Sequence, residues 1–220
     1  MTVSTILNER VFALEELALE AGAKAAKCFS ARFVAFDERV RMKCQVPLCP
    51  HYGHCLTCPP NVPSMEEFKA VVEKFDSALL IQTSSPILGD MDQADREEVI
   101  EFMTNPGKQG KVDSESSEAF KDLNASKMAA VKLHKVVNEV EGKALGLGFH
   151  YATGLIGGPC EICIECVGQG SGEGCRRPYE ARPSMEGVGI DVLKTSIDAG
   201  LPFEMPPKKE IIWSGLVLVE

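Results

Sequence analysis

Four cysteines, Cys160, Cys163, Cys166 and Cys175, form a C-x2-C-x2-C-x8-C string inside a glycine-rich stretch. The first three repeat the spacing with which a short loop wraps an iron–sulfur cubane and offers one thiolate to each of three irons. The fourth thiolate has to return from further along. Its return path is Gly168-Gln-Gly170-Ser-Gly172-Glu-Gly174, where four glycines at alternate positions relax the dihedral limits on a tight reversal. A bacterial ferredoxin run has three residues before its fourth cysteine and a proline directly after it. Here eight residues intervene and Pro178 follows three positions later, so the segment reads as a cluster loop and not as a ferredoxin domain.

A second set precedes it. Cys44, Cys49, Cys55 and Cys58 have C-x4-C-x5-C-x2-C spacing and are stiffened by Pro47, Pro50, Pro59 and Pro60. A loop restrained in this way has little entropy left to lose when a metal closes it. Zinc is the alternative to iron at both sets, because C-x2-C pairs also close tetrahedral zinc sites. Three cysteines at successive threes favour a cubane at residues 160–175. At residues 44–58 the spacing is irregular, and His51 and His54 are further candidate zinc ligands. Iron is read at both sets, with zinc the stated alternative at the first.

Arg176, Arg177 and Arg182 flank the second set. Cations beside a four-thiolate cubane offset its negative charge and raise its potential, so the three are candidate cofactor-binding residues, with ordinary ion pairing as the plainer use. The ninth cysteine, Cys28, continues a stripe of Leu14, Ala18, Ala21 and Ala25 at helical spacing and reads as a buried core thiol. His134 and His150 have no chemical partner nearby in sequence and read as structural. Gly146-Leu-Gly148 lacks the third glycine of a dinucleotide fingerprint and reads as a helix C-cap. Gly154-Leu-Ile-Gly157-Gly158 lacks the lysine of a phosphate-binding loop, so no ATP site is expected.

The elements that must carry these loops follow from periodicity. A helix is predicted over 7–28, then strands at 33–36 and 40–44, the second alternating Val40, Met42 and Cys44 with Arg39, Arg41 and Lys43. Ser64 and Glu67 form a capping box that starts a helix running to about Phe75. Residues 78–82 read as a buried strand, 93–104 as a helix and 107–111 as a loop. Apolar residues recurring at threes and fours from Phe120 to Leu147, with small Ser126 in one gap, mark a long amphipathic helix. Strands at 149–156 and 211–219 and a helix at 184–199 complete the set. The sum is the α+β class: a mixed sheet of about four to five strands packed against helices, with two cysteine-rich metal-binding loops. No internal repeat relates the two cysteine sets.

At 220 residues and 45% apolar composition, one domain over residues 1–220 is expected. The net charge of −9 leaves no basic stripe to release counterions, which argues against a nucleic-acid partner. No apolar run approaches the length of a membrane span, and no membrane partner is expected. Residues 1–10 are polar and charged, unlike a secretion signal, so a cytoplasmic setting with reduced thiols is expected. Residues 84–113 read as an acidic surface insertion, a solvated face or a docking site for a basic partner.

The segments Cys44-x4-Cys49-Pro-His-Tyr-Gly-x4-Cys58-Pro-Pro and Gly-Pro-Cys160-x2-Cys163-x2-Cys166-x8-Cys175-Arg-x-Pro-x3-Arg182-Pro-Ser-Met-Glu-Gly-x-Gly-Ile-Asp191 resemble a family of predicted metal-binding proteins, a domain of unknown function typical of anaerobic bacteria and methanogens. The resemblance covers most of the chain. It implies metal or iron–sulfur binding in an anaerobic setting and carries no assigned reaction. It further implies that the first motif rests on Cys44, Cys49 and Cys58, with Cys55 an addition.

The leading expectation is an iron–sulfur protein with one or two [4Fe-4S] clusters that transfers single electrons to or from a protein redox partner, or supports a partner enzyme, in anaerobic metabolism. One alternative is an enzyme with an open iron at the first set, where Cys55, His51 or His54 lies nearby. The other is a zinc-stabilised structural or sensor module.

Overall fold

The computed structural model describes residues 3–87, 118–203 and 207–220. Two long strands, β2 (Ser77–Pro86) and β4 (Glu210–Val219), pair antiparallel through the middle of a four-stranded sheet. β1 (Ala25–Ser30) pairs with the outer side of β2, and β3 (Ala152–Ile156) with the outer side of β4. The order is β1-β2-β4-β3 with every pairing antiparallel, so the expected α+β class is found, with four strands in the sheet among the described residues.

β4 from Ile211 onward and the first half of β2, Ala78–Ile81, are near-continuous apolar runs because both faces of the sheet are covered. Leu79, Ile81, Val217, Val219 and Ile156 point to one face and pack on Leu14 and Ala18 of α1 (Val3–Glu20) and on Leu133, Val136, Val137 and Val140 of α4 (Glu118–Ala144). Alternate residues Ala78, Leu80, Leu216, Leu218 and Leu155 point to the other face, where α3 (Met65–Val72) contributes Phe68 and Val72. Gly215 lets α4 lie close: a Cβ there would stand 2.8 Å from Val137 Cγ2 and 3.0 Å from the Leu155 carbonyl oxygen. Trp213 Nε1 donates to Ser126 Oγ at 3.1 Å, which gives the small gap residue of α4 a partner.

The capping box is present, with Ser64 Oγ accepting from Glu67 N and the Glu67 carboxylate accepting from Ser64 N. The helix it starts stops at Val72, short of Phe75. The long helix ends in a 3-10 turn, Leu145–Leu147, closed by Gly148 at φ 87° as the C-cap reading requires.

Four expected elements differ. The first helix ends at Glu20, Gly22 at φ 101° turns the chain, and Cys28 lies on β1 opposite Leu79. The alanine-rich stretch fits a helical stripe and a strand alternation equally well, and pairing with β2 decides between them. Cys28 is half-buried against the α1–α4 core, and its thiol donates to the Val11 carbonyl at 3.0 Å. Burial and the neighbouring Glu15 carboxylate push that thiol well up.

The strand expected at 40–44 is instead a short helix, α2 (Glu38–Met42). Asp37 caps it, accepting from Arg39 N at 2.8 Å. At 33–36 there is a 3-10 turn, Ala31–Phe33, and one bridge from Phe36 to Ile190. The helix expected at 184–199 is broken by Gly189 at φ 87°, leaving a 3-10 turn, Glu186–Val188, and α5 (Val192–Asp198) capped by Asp191. Met65 fills the space a side chain at 189 would need, its Cγ lying 2.5 Å from that Cβ position. Of the acidic insertion, residues 84–86 belong to β2, while the helix expected at 93–104 and the loop at 107–111 lie outside the described residues.

His134 is only 2% exposed on α4, which agrees with a structural role. Desolvation first and the Arg182 guanidinium second hold its pKa down to about 4. The imidazole is therefore neutral when folded and gains a proton on unfolding below its ordinary pKa, so its contribution falls as pH falls through that window. Between about pH 7 and about pH 5 this single group costs the fold about 2 kcal/mol. Urea titrations of wild type and His134→Gln should show the wild type losing that much more than the variant over this interval.

Candidate metal centre

The first cysteine set occupies a run of turns that begins where α2 ends. Backbone bonds fold it on itself: Cys49 N donates to Cys44 O at 3.1 Å, Cys55 N to His51 O at 3.0 Å and Cys58 N to Cys55 O at 3.0 Å. The Asn61 side chain adds a bond to the Cys55 carbonyl at 3.1 Å. Cys55 and Cys58 end up 2% and 6% exposed, while Cys44 and Cys49 remain half-buried.

The second set leaves the end of β3. Gly157 N donates to Ser214 O at 2.7 Å, and Gly158 at φ 75° presses on the Trp213 ring, where a Cβ would come within 2.8 Å of Cζ3. The Glu186 carboxylate accepts from Gly158 N at 2.9 Å and from Ser184 Oγ at 3.1 Å, tying the loop's entry to its exit. Burial pushes that carboxyl up, and the bonds from Gly158 and Ser184 oppose the shift. Gly168, Gly170 and Gly172 take φ values of 82°, 86° and 77°, so the glycine-rich return is built on left-handed backbone.

The two sets meet. Gln169 N donates to His54 O at 3.1 Å, and Ser184 N donates to Thr57 O at 3.0 Å. A Cβ on Gly168 would lie 3.1 Å from the His54 ring. Cys160, Cys163, Cys166 and Cys175 line one recess, and Cys55 from the first set lines it with them. Arg176 and Arg177 stand at its rim. Arg176 donates to Glu165 O at 3.0 Å and Arg177 pairs with Glu180 at 3.0 Å. Arg182 does not line the recess. Its Nε donates to Glu141 of α4 at 2.6 Å, and its Nη1 bonds the carbonyls of Tyr179 and Ala181 at 3.1 and 3.0 Å.

Electrostatics divide the thiols. Hydrogen bonds from Cys58, Thr57 and the Cys160 amide bring the Cys55 thiol down to about 4, against the effect of burial. The same Cys55 contact, with burial, pushes Cys58 well up. Burial pushes Cys160 up to about 12 and also raises Cys44.

Thiolate is the donor that soft metals and iron–sulfur clusters select, and five thiols around one recess fit such a group by donor chemistry. Among the described residues, no three His, Cys, Asp or Glu side chains converge on a single ion position. The free space of the recess is about 20 Å3, on the order of one water.

Sequence reading missed the convergence of the two sets, and with it three carboxylates. Glu161, next to Cys160, pairs with Lys127 at 3.5 Å and is pushed up by burial. Glu186 and Glu141 hold the loop from behind. Glu161 and Glu186 lie within the quoted motif region, which was the available signal; Glu141 had none.

This donor set on loops at one end of an α+β sheet is that of a metal-binding protein. The family model described as predicted metal-binding protein (DUF2284) matches residues 27–219, and the chain belongs to that family. No curated protein and no solved structure matches it. Among the described residues, no helix is long and apolar enough to cross a membrane.

Proposed function

We propose that the chain is an iron–sulfur protein holding one or two [4Fe-4S] clusters and passing single electrons to a protein partner in cytoplasmic, anaerobic metabolism. The observation that carries the reading is the recess lined by all four cysteines of the string, with Cys55 beside them. A bound cluster supplies one-electron chemistry at a potential set by charge, hydrogen bonds to sulfur and exposure.

The chain's own groups supply those settings. Arg177 N donates to Cys175 Sγ at 3.4 Å, and the Arg176 and Arg177 cations at the rim oppose the charge of the thiolates. Cys44, Cys49 and Cys58 stand behind Cys55 as the second thiolate group, close enough that Cys44 and Cys49 raise the Cys58 pKa. The net charge of −9 favours a partner with a basic docking face.

The test is iron, acid-labile sulfide and EPR on protein purified without oxygen, before and after dithionite. Two clusters give roughly eight irons and eight sulfides with a reducible signal, and one gives about four. Zinc without sulfide would overturn the electron-transfer reading.

A further inference from the structure

We infer that His134 is an acid-operated latch: protonation of its buried ring frees the exit of the second cysteine loop, residues 177–184, from α4 while the sheet stays closed. The inference goes beyond the electron-transfer reading and does not depend on which metal the loop holds.

On α4, Lys127, His134, Asn138 and Glu141 are spaced by seven, four and three residues, which puts them on one face of the helix. Three of the four hold the second loop. Lys127 pairs with Glu161 near its start at 3.5 Å. Asn138 Nδ2 donates to Glu180 O at 2.8 Å, and Glu141 accepts from Arg182 Nε at 2.6 Å. His134 lies inside this row, 2% exposed, and among the described residues neither ring nitrogen makes a hydrogen bond of ordinary geometry. A neutral ring tolerates that burial far better than a charged one.

The surrounding charges leave the ring no counter-ion. In the exit segment the Arg182 guanidinium repels a second cation, and the Glu180 carboxylate is taken by Arg177 at 3.0 Å. The Glu180 carbonyl favours the charged ring but already accepts from Asn138. On α4, Glu141 is taken by Arg182, and Lys127 is turned to Glu161. On α1, Glu15 is turned to Cys28 and Lys27, and Arg10 to the Gly148 carbonyl. β3 and residues 213–219 of β4 carry no titratable side chain.

Burial first and Arg182 second hold the ring at about 4, against an ordinary 6.5. When residues 177–184 lift from α4, the ring meets water and regains the ordinary value. The closed form has the lowered value, so opening binds a proton, and the open form gains population as pH falls between the two values. One proton passes from solvent to a ring nitrogen, and no electron moves.

The exit is able to open alone. Residues 177–184 contribute nothing to either hydrophobic core. Beyond the contacts to α4, the backbone there is fastened by Ile156 N donating to Pro183 O and Ser184 N donating to Thr57 O, both at 3.0 Å. A segment held by a few polar contacts opens at lower cost than a packed sheet.

The test is hydrogen exchange, read by mass spectrometry on the full-length chain purified without oxygen, at pH 7 and pH 5 with intrinsic rates corrected. In wild type, protection of residues 177–184 is expected to fall about twentyfold between the two, independently of low urea. Protection of residues 78–81 and 216–218 should instead follow urea, as global opening does. In His134→Gln the fall at 177–184 should vanish, and His134→Asn makes the same comparison in a second background. Protection of 177–184 that holds at pH 5 in wild type overturns the inference without any variant. So does a fall that is equal in the variants, or one that follows urea with the slope of the sheet.

Discussion

A chain carrying Cys160→Ser together with Cys163→Ser is expected to lose the metal of the second loop, about half the wild-type iron and sulfide if both sites are loaded, and still to keep its sheet. Serine is a hard, weakly acidic donor that does not replace thiolate toward soft metals. Losing two of four adjacent ligands removes the chelate. The fold survives because neither hydrophobic core contains any of the eight clustered cysteines. β2 and β4 pair along ten residue pairs between two packed faces.

This differs from a zinc finger, where metal binding is the folding free energy. Metal analysis and amide hydrogen exchange report the two halves separately. Protection of residues 78–83 and 214–219 should match wild type. Collapse of that protection, or a full metal complement, would refute the expectation.

Glu141→Ala has the next largest effect: a loss of about 2–3 kcal/mol of stability, concentrated in the segment after the second loop. Glu141 Oε2 accepts from Arg182 Nε at 2.6 Å and from Gly154 N at 2.8 Å, which joins α4, β3 and the chain beyond Cys175 at one atom. The two side chains are only 23% and 15% exposed, so removal of the carboxylate leaves a guanidinium and an amide poorly hydrated.

Gly154 is part of the same arrangement, since any Cβ there would come within 2.4 Å of that oxygen. Glu141→Gln keeps an acceptor and should lose less. Urea unfolding gives the total. Metal competition should show about tenfold weaker retention in the alanine variant, as for lost outer supports of metal ligands. A stability loss with unaltered metal affinity would confine Glu141 to the scaffold.

Long, strongly patterned elements were legible in the sequence. β4 is a nearly unbroken apolar run, α4 keeps its stripe over seven turns, and Ser64 and Glu67 announce a helix start by chemistry alone. Short segments were not. Residues 38–42 alternate like a strand, yet Asp37 caps them into a turn of helix with no buried residue, so burial gave no pattern to read. The helix expected through Cys28 failed because strand pairing with Leu79 is a tertiary fact.

At the site, the eight cysteines and the glycine return were evident from spacing. That Cys55 turns to the far loop depends on bonds from His54 to Gln169 and from Thr57 to Ser184, more than a hundred residues apart, and no local rule reaches that distance. Arg182 read as a cluster neighbour for the same reason: its partner Glu141 lies on α4.

The place of β4 sets an order of assembly. It is the last of the described strands in chain order, yet it lies between β2 and β3, and among the described residues β3 has no other strand partner in the sheet. Until residues 210–219 have been synthesised and have paired with β2, the strand that launches Cys160 has α4 to pack on but no sheet to join. The sulfur recess then exists only as two separated loops. Non-local pairing of this kind is slow to form, so metal delivery during synthesis would meet thiols not yet brought to one recess. A donor that acts on the completed sheet would find Cys55 and the four thiols of the string already lining one recess.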